Sequence, residues 1–264
     1  MSLSLVEDAQ ARLSTDRFGR SMRGFEEVGS TNERAAQWAA EGAAEGATVV
    51  TEYQTTGRGR HGRDWTADRS RNLLFSVVLR PELPPARFGL LTAAAGVAVA
   101  EAIEAFVVPH SAALKWPNDV LLEGRKTCGI LLESSLTPPN TDAVVVLGVG
   151  LNVNQTDFPD ALIDTATSLR LTTGRSVPRP SLLARLLQAL ERRYDAVHAD
   201  AASVRTAFRA RLDALGAVRT LHVPGTDETL TGTVQGLTET GALRLRTADG
   251  TDTTVHAGDV TSQR

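Results

Sequence analysis

The spacing of apolar positions changes period along the chain. Leu3, Val6, Ala9 and Leu13 recur at helical intervals and predict a short amphipathic helix. A second helix is expected to begin near Asn32, because Ser30 and Glu33 have capping-box spacing and Gly42 offers a stop. Residues 48–53 and 73–79 read as strands. Pro81, Pro84 and Pro85 then break the chain before an almost wholly apolar helix over 89–108. Short strands at 112–115 and 120–122 flank a Pro-Asn turn. Residues 129–134 and 144–149 are apolar and β-branched and predict a hairpin through Thr137-Pro138-Pro139-Asn140. Leu183, Leu186, Leu187, Leu190, Tyr194 and Val197 have helical spacing behind Pro180, and a further helix over 201–215 should stop at Gly216.

Beyond Gly216 the texture shifts to short alternating runs around Leu230, Val234, Leu243, Leu245 and Val255. Pro224-Gly225, Thr240-Gly241 and Asp249-Gly250 punctuate them. The expected fold class is α+β: a mixed-sheet domain over residues 1–216 and a small β-barrel over 217–264. With 264 residues, a large and a small unit are both affordable in core.

Composition narrows the function classes. Apolar residues make up 42% and charged residues 22%, and the formal net charge is −3. No global field draws the chain to nucleic acid or an anionic membrane, so any anion must be bound by a local cluster. Glu101 and Glu104 interrupt the apolar 89–108 stretch, which reads as a core helix rather than a membrane span. The first residues lack the basic and long apolar regions of a signal peptide. Cys128 is the lone cysteine and reads as a small core residue in a reducing compartment, so a cytoplasmic protein is expected.

Four segments carry candidate chemistry. Gly57-Arg58-Gly59-Arg60-His61-Gly62-Arg63 alternates residues that allow close backbone approach with fork-shaped donors for phosphate or carboxylate. No Gly-Lys-Ser/Thr follows, so it is not a Walker A loop, and an exposed basic loop has the same composition. Lys115-Trp116-Pro117-Asn118-Asp119 presents a cation and a carboxylate across a rigid turn, as an ordinary surface ion pair would also do. Lys126 precedes Gly129-Ile130-Leu131-Leu132-Glu133. Gly148-Val149-Gly150-Leu151-Asn152 puts two glycines at a strand end, where they admit a ligand or mark a bend.

In this order the segments resemble the biotin–protein ligases. The hallmarks are Gly-Arg-Gly-Arg-x-Gly-Arg, Lys-Trp-Pro-Asn-Asp, a lysine with Gly-Ile-Leu-x-Glu, Gly-x-Gly-x-Asn and an upstream Ser-Thr-Asn at Ser30, Thr31 and Asn32. The likeness extends in outline to Gly241-Ala242-Leu243 and Gly258-Asp259-Val260. It implies a catalytic domain of the biotin/lipoate ligase type with an SH3-like C-terminal barrel. It also implies biotin and ATP with Mg2+ as substrates and metal, with no metal ligand assigned. The reaction would form biotinyl-5′-AMP and transfer biotin to a lysine of a biotin carboxyl carrier domain of acetyl- or acyl-CoA carboxylase.

By the resemblance, Ser30, Thr31, Asn32, Gln54, Gly57, Arg58, Lys126, Gly129, Gly148 and Gly150 hold biotin. Arg58, Arg60, Arg63, Trp65, Asn118, Lys126 and Asn152 hold the nucleotide. Arg60, Lys115, Asp119 and Lys126 act at the reacting centre. Fewer than thirty residues precede Ser30, too few for the DNA-binding domain of the bifunctional branch, so a monofunctional enzyme without DNA is expected. Oligomeric state is not legible. Three rivals remain: a lipoate or octanoate ligase, with a different arginine loop; a nucleic-acid-binding protein using the Gly-Arg run; and, last because the charged residues needed for chemistry are all present, a degenerate ligand-binding homologue.

Overall fold

The computed structural model describes residues 2–135, 143–222, 229–256 and 259–261. Among these, β1 (Met22–Phe25), β2 (Thr48–Thr51), β3 (Leu73–Leu79), β4 (Ala112–Lys115), β5 (Asp119–Leu122), β6 (Arg125–Ser135) and β7 (Val144–Leu151) form one sheet in the order β1-β2-β3-β7-β6-β5-β4. β1 and β2 pair in parallel and the other neighbours antiparallel. The hairpin expected after residue 129 is β6–β7; its turn at 137–140 lies outside the described residues.

This sheet is covered on both faces, which explains why its central strands read as unbroken apolar runs. Leu73, Phe75, Val77 and Leu79 of β3 alternate onto the face that joins the main core with α3 (Gly89–Glu104), α5 (Arg179–Ala199) and α6 (Ala201–Arg211). Val78 turns the other way. It packs with Val49, Val146, Ala35 and Ala39 beneath α2 (Thr31–Ala40). Segment Pro85–Glu104 is apolar and long enough to cross a membrane by composition. In the fold it is a core helix whose alanines allow α5 to pack closely along it. The N-terminal helix α1 (Ser2–Gln10) lies on α5, and the short α4 (Leu169–Thr173) precedes it.

The C-terminal strands β8 (Val218–His222), β9 (Thr229–Leu237), β10 (Leu243–Arg246), β11 (Asp252–Val255) and β12 (Asp259–Thr261) form a separate antiparallel sheet, β11-β10-β9-β8-β12, of the SH3-like kind. The turn expected at Pro224-Gly225 and the residue Gly258 lie outside the described residues. The small sheet is tied to the large one. Trp116 Nε1 donates to Gly241 O at 3.2 Å, Gly216 N to Val234 O at 2.9 Å, and Arg209 Nε to Gln235 O at 3.1 Å.

Several expected boundaries move, each for a local reason. The apolar helix ends at Glu104, not at residue 108, ahead of Pro109, which disfavours helical geometry in its predecessor. The 201–215 helix stops at Arg211, because Leu212 turns extended and bridges Leu114 in parallel. The capping box at the start of α2 does not form. Ser30 occupies the N-cap without a side-chain cap bond; Gln54 takes the Thr31 N–H, and Arg58 takes Glu33. Strand β1 was not anticipated, since Met-Arg-Gly-Phe is too short and too polar to show a period.

Two buried carboxylates anchor the outer elements. Glu52, at the end of β2, receives Arg179 from the first turn of α5 at 2.6 and 3.2 Å. Glu191 accepts the backbone N–H groups of Asp16, Arg17 and Phe18 at 2.9, 3.2 and 2.9 Å. Burial pushes the Glu191 carboxyl up, but those three donors and the Arg17 charge outweigh it and hold the group below its ordinary value. A depressed folded value means the stabilisation is full above the unfolded value and is lost as pH falls through the folded one. Glu191→Gln should therefore lower the unfolding free energy at neutral pH by about 2 kcal/mol. The gap between variant and wild type should close under acid, as read by urea unfolding across pH.

Candidate active site

The face of the large sheet opposite α3 is stripped of side chains at one place. Register sets Gly148 of β7 between Ser76 and Leu131, and Gly150 between Leu74 and Gly129. The three glycines thus make a contiguous floor on two adjacent strands. Gly148 and Gly150 fall in the last four residues of β7, as their spacing suggests, whereas Gly129 lies inside β6, which begins at Arg125 rather than at residue 129. A Cβ on Gly148 would stand 2.2 Å from Asn32 Oδ1. One on Gly150 would stand 2.5 Å from the Trp65 ring, and one on Gly129 2.8 Å from it. No side chain larger than hydrogen fits there.

Over this floor opens a cavity of about 560 Å³. Its size suits a drug-sized or nucleotide-sized ligand. Its inner end is polar: Thr31 N and Oγ1 both donate to Gln54 Oε1 at 2.8 and 3.0 Å. The Ser76 hydroxyl lies 2.7 Å from Thr31 Oγ1 and 2.6 Å from Asn32 Oδ1. Asn32 Nδ2 donates to Glu133 Oε2 at 2.6 Å. Such a buried cluster of oriented donors and acceptors matches a ligand with its own polar ring.

Midway, Lys126 of β6 points its Nζ 2.7 Å from Asp119 Oδ1 of β5, an ion pair rather than an aligned hydrogen bond. The same ammonium lies 5.5 Å from the centroid of the Trp65 ring. Residues 162–168 run alongside, with Lys126 N donating to Thr165 O at 2.7 Å and Thr167 N to Lys126 O at 2.9 Å. Asn152 is pinned by Nδ2 to Thr167 O at 3.1 Å, which leaves its buried Oδ1 without a partner. Trp65 Nε1 is likewise buried and unpartnered. Two orphaned polar atoms in one cleft are groups a ligand would satisfy.

The Gly-Arg loop closes the cavity as a flap. Trp65 N bonds Gly57 O at 2.9 Å and Gly59 N bonds Arg63 O at 2.6 Å, so the loop doubles back on itself, with His61 and Gly62 at positive φ. Arg58 pairs with Glu33 at 3.0 Å and lies 3.9 Å from Glu133. Arg60 Nη1 reaches Asn118 Oδ1 at 3.5 Å, the outer limit of a hydrogen bond. Asn118 is itself locked to β6 through Ile130, by exchanged bonds of 2.8 and 3.0 Å.

Every site residue named from the sequence except Gly57 lines this cavity, Lys115 and Arg63 included. Gly57 is the first residue of the flap, set against Trp65, where a Cβ would stand 2.5 Å from Trp65 O. Cys128 is wholly buried and burial pushes its thiol up, so it is no nucleophile. Sequence reading missed Ser76, the latch carboxylates Glu33 and Glu133, and Arg219 from β8. Ser76 left a signal as the one polar residue in Leu-Leu-Phe-Ser-Val-Val-Leu, and Glu133 as the last residue of the Gly-Ile-Leu-x-Glu segment. Among the described residues no group of three or more His, Cys, Asp or Glu could cage a metal. A magnesium ion would suit the site as one carried by phosphate oxygens and water, with one or two carboxylates at most.

Because Gly148 touches Asn32, Gly148→Ala should destabilise the fold by about 1–3 kcal/mol through overpacking. Chemical unfolding of this variant beside Gly96→Ala, whose added Cβ meets nothing nearer than Leu114 at 3.5 Å, would measure it.

Comparison with known proteins agrees with this geometry. Residues 24–152 match the biotin/lipoate A/B protein ligase family, and residues 221–261 match the biotin protein ligase C terminal domain. The chain is 37% identical over 243 residues to the biotin--[acetyl-CoA-carboxylase] ligase of Mycobacterium tuberculosis, covering 90% of this chain and 87% of that one. It is 34% identical over 241 residues to the bifunctional ligase/repressor BirA of Bacillus subtilis, covering 90% and 73%. The biotin protein ligase from Aquifex aeolicus, solved in complex with biotin and ATP, superposes with a TM-score of 0.79 at 28% identity, over 92% of this chain and 98% of that one. A floor of glycines, a polar inner end, a central lysine and an arginine flap thus coincide with a match along most of the chain, which belongs to the biotin/lipoate A/B protein ligase family, among its biotin protein ligases.

Proposed function

We propose that the protein is a biotin–[acetyl-CoA-carboxylase] ligase. It would join biotin to ATP as biotinyl-5′-AMP and pass the acyl group to a lysine of a biotin carboxyl carrier domain. The observation that carries this reading is the convergence of Lys126, Asp119 and the flap arginines on one cleft whose inner end is the Ser30–Gln54 polar cluster.

In the first step a carboxylate oxygen of biotin attacks the α-phosphorus, the bond to the bridging oxygen breaks, and pyrophosphate leaves. Both reactants are anions, so catalysis consists of holding them in line and cancelling charge. Thr31, Asn32 and Gln54 hold the ureido ring over Gly148, and Ser76 fixes Thr31 and Asn32 from behind. Lys126 sits between the carboxylate and the α-phosphate, and Arg58 and Arg60 approach from the flap. Magnesium, when bound with ATP, neutralises phosphate charge. Trp65 and Asn152 receive the base at the Gly150 end of the floor, each contributing an otherwise unsatisfied polar atom.

In the second step the neutral amine of the acceptor lysine attacks the acyl carbon and AMP leaves. Asp119 accepts the proton the amine loses; its carboxylate is held ready beside Lys126. The flap keeps water from the mixed anhydride, which would otherwise hydrolyse. The same proposal assigns residues 1–216 to catalysis and 217–264 to the accessory barrel, and places the protein in the cytoplasm, where a carboxylase carrier is its partner.

Incubation with biotin, MgATP and a carrier domain should give a biotin-labelled carrier on a blot. Lys126→Ala should reduce the rate by about a hundredfold or more, the usual loss on removing one preorganised cation. Lipoate in place of biotin should leave the carrier unlabelled and the protein's melting temperature unmoved; labelling by lipoate alone would reject the reading. Asp119→Asn should form adenylate but transfer it slowly, and wild-type transfer by that variant would remove the proton-acceptor role. Saturating biotin should protect the flap, residues 57–63, from proteolysis.

A further inference from the structure

The polar inner end of the cleft has a direction, and a carboxylate outside the cavity sets it. Asn32 is the pivot: it is buried, and the two ends of its amide have opposite character, Oδ1 accepting and Nδ2 donating. Nδ2 faces Glu133 Oε2 at 2.6 Å and Leu131 O at 3.4 Å, both on β6. A carboxylate and a carbonyl only accept, so the end of the amide that meets them has to be the nitrogen. Oδ1 is thereby turned over the glycine floor, where a Cβ on Gly148 would stand 2.2 Å from it.

The other neighbours of Asn32 do not impose this orientation. The Ser76 hydroxyl lies 2.6 Å from Asn32 Oδ1 and 2.7 Å from Thr31 Oγ1. A hydroxyl both donates and accepts, so it would tolerate either end of the amide. Gln54 is different, because its Oε1 accepts the backbone N–H of Thr31 at 2.8 Å, which leaves Nε2 as a donor without any outside help. The pocket therefore presents an acceptor at Asn32 and a donor at Gln54. A ring urea, with N–H groups and one C=O, needs both. The donor is fixed by backbone, while the acceptor depends on a side chain.

We propose that Glu133 is a positioning residue for the substrate ring: its carboxylate holds Asn32 Nδ2, so that Oδ1 is the atom offered to an N–H of the ureido group. The proposal rests on the ligase reading above. Glu133 does not line the cavity and acts through Asn32 alone. Strand alternation places it on the face of Gly129 and Leu131, two residues beyond the latter. Its bond to Asn32 is charge-assisted and so stronger than the 3.4 Å contact with Leu131 O. Arg58 approaches the other carboxylate oxygen, Oε1, at 3.9 Å, which leaves Oε2 to Asn32.

The intact protein carrying Glu133→Ala should show a KM for biotin in adenylate formation raised about tenfold, as for one lost charge-assisted bond. Its Kd for biotin, by calorimetry, should rise in parallel. The kcat at saturating biotin and the KM for MgATP should keep their wild-type values. Glu133→Gln retains an acceptor and should recover most of the affinity. If the alanine variant fails to fold, Glu133→Asp replaces it with the same expected loss, since the shorter side chain withdraws its carboxylate from Asn32. In the ligand-free protein the side-chain amide hydrogens of Asn32, followed by NMR, should exchange with solvent more slowly in the wild type than in the alanine or aspartate variant. Wild-type biotin affinity in Glu133→Ala would overturn the proposal. So would an equal rise in KM for biotin in Glu33→Ala, which removes the Arg58 partner at 3.0 Å and no hydrogen bond of Asn32, because the effect would then belong to Arg58. Failure of the wild-type protein to bind biotin would instead overturn the ligase reading, while the exchange of the Asn32 amide still judges the hold of Glu133 on it.

Discussion

A sheet covered on both faces has no room for a ligand unless side chains are removed from part of it. Here that constraint is met by Gly129, Gly148 and Gly150, adjacent across β6 and β7 on the face turned away from α3. Asn32 and Trp65 approach so closely that even a methyl group would displace them. The rest of the site follows from that clearing. The start of α2 descends onto it, Trp65 lies across it, and the flap arches over it from the end of β2.

The opposite face bears the cost of rigidity. Leu73, Phe75, Val77 and Leu79 alternate into the core beneath α3, with Ser76 on the other face, behind Thr31 and Asn32. Because a one-residue slip would exchange the two faces, the apolar set on β3 pins the register that aims Ser76 at Thr31 and Asn32. Stability and site geometry thus depend on the same strand. The buried Glu52–Arg179 pair then holds the base of the flap to α5, where removing either partner would strand a buried charge.

Charge in the cleft is graded. Lys126 and Arg58 are compensated by carboxylates in the absence of substrate, which keeps two cations close without mutual repulsion and lets each exchange its partner for a phosphate or carboxylate oxygen. Among the described residues, Lys115 and Arg219 at the lip of the cleft have no such carboxylate partner. The small sheet is joined to the large one through Trp116 and Gly241, and its Arg219, Val234 and Leu243 reach the wall of the cleft.

The linear order of residues determined a great deal of this molecule. The 3.6-residue apolar period located α3 and α5, the run of β-branched residues located β3, β6 and β7, and the ordered motifs named residues that meet in the cleft, though not those of 158–166 and 212–219 that also line it. These are local or contiguous signals, carried by backbone period or by residue types whose chemistry shows in isolation. What only the tertiary structure decided depended on pairing across distance. Register turned Gly129, Gly148 and Gly150 into one floor. The capping partners Ser30 and Glu33 were diverted to the pocket and to Arg58, because a longer-range partner outcompeted the local one. Leu212 left its helix to pair with Leu114, and that detour delivers Arg219 to a cavity more than ninety residues away from Lys126 in the chain. No spacing along the chain encodes such a meeting, since it is fixed by which strands become neighbours and on which face each side chain emerges.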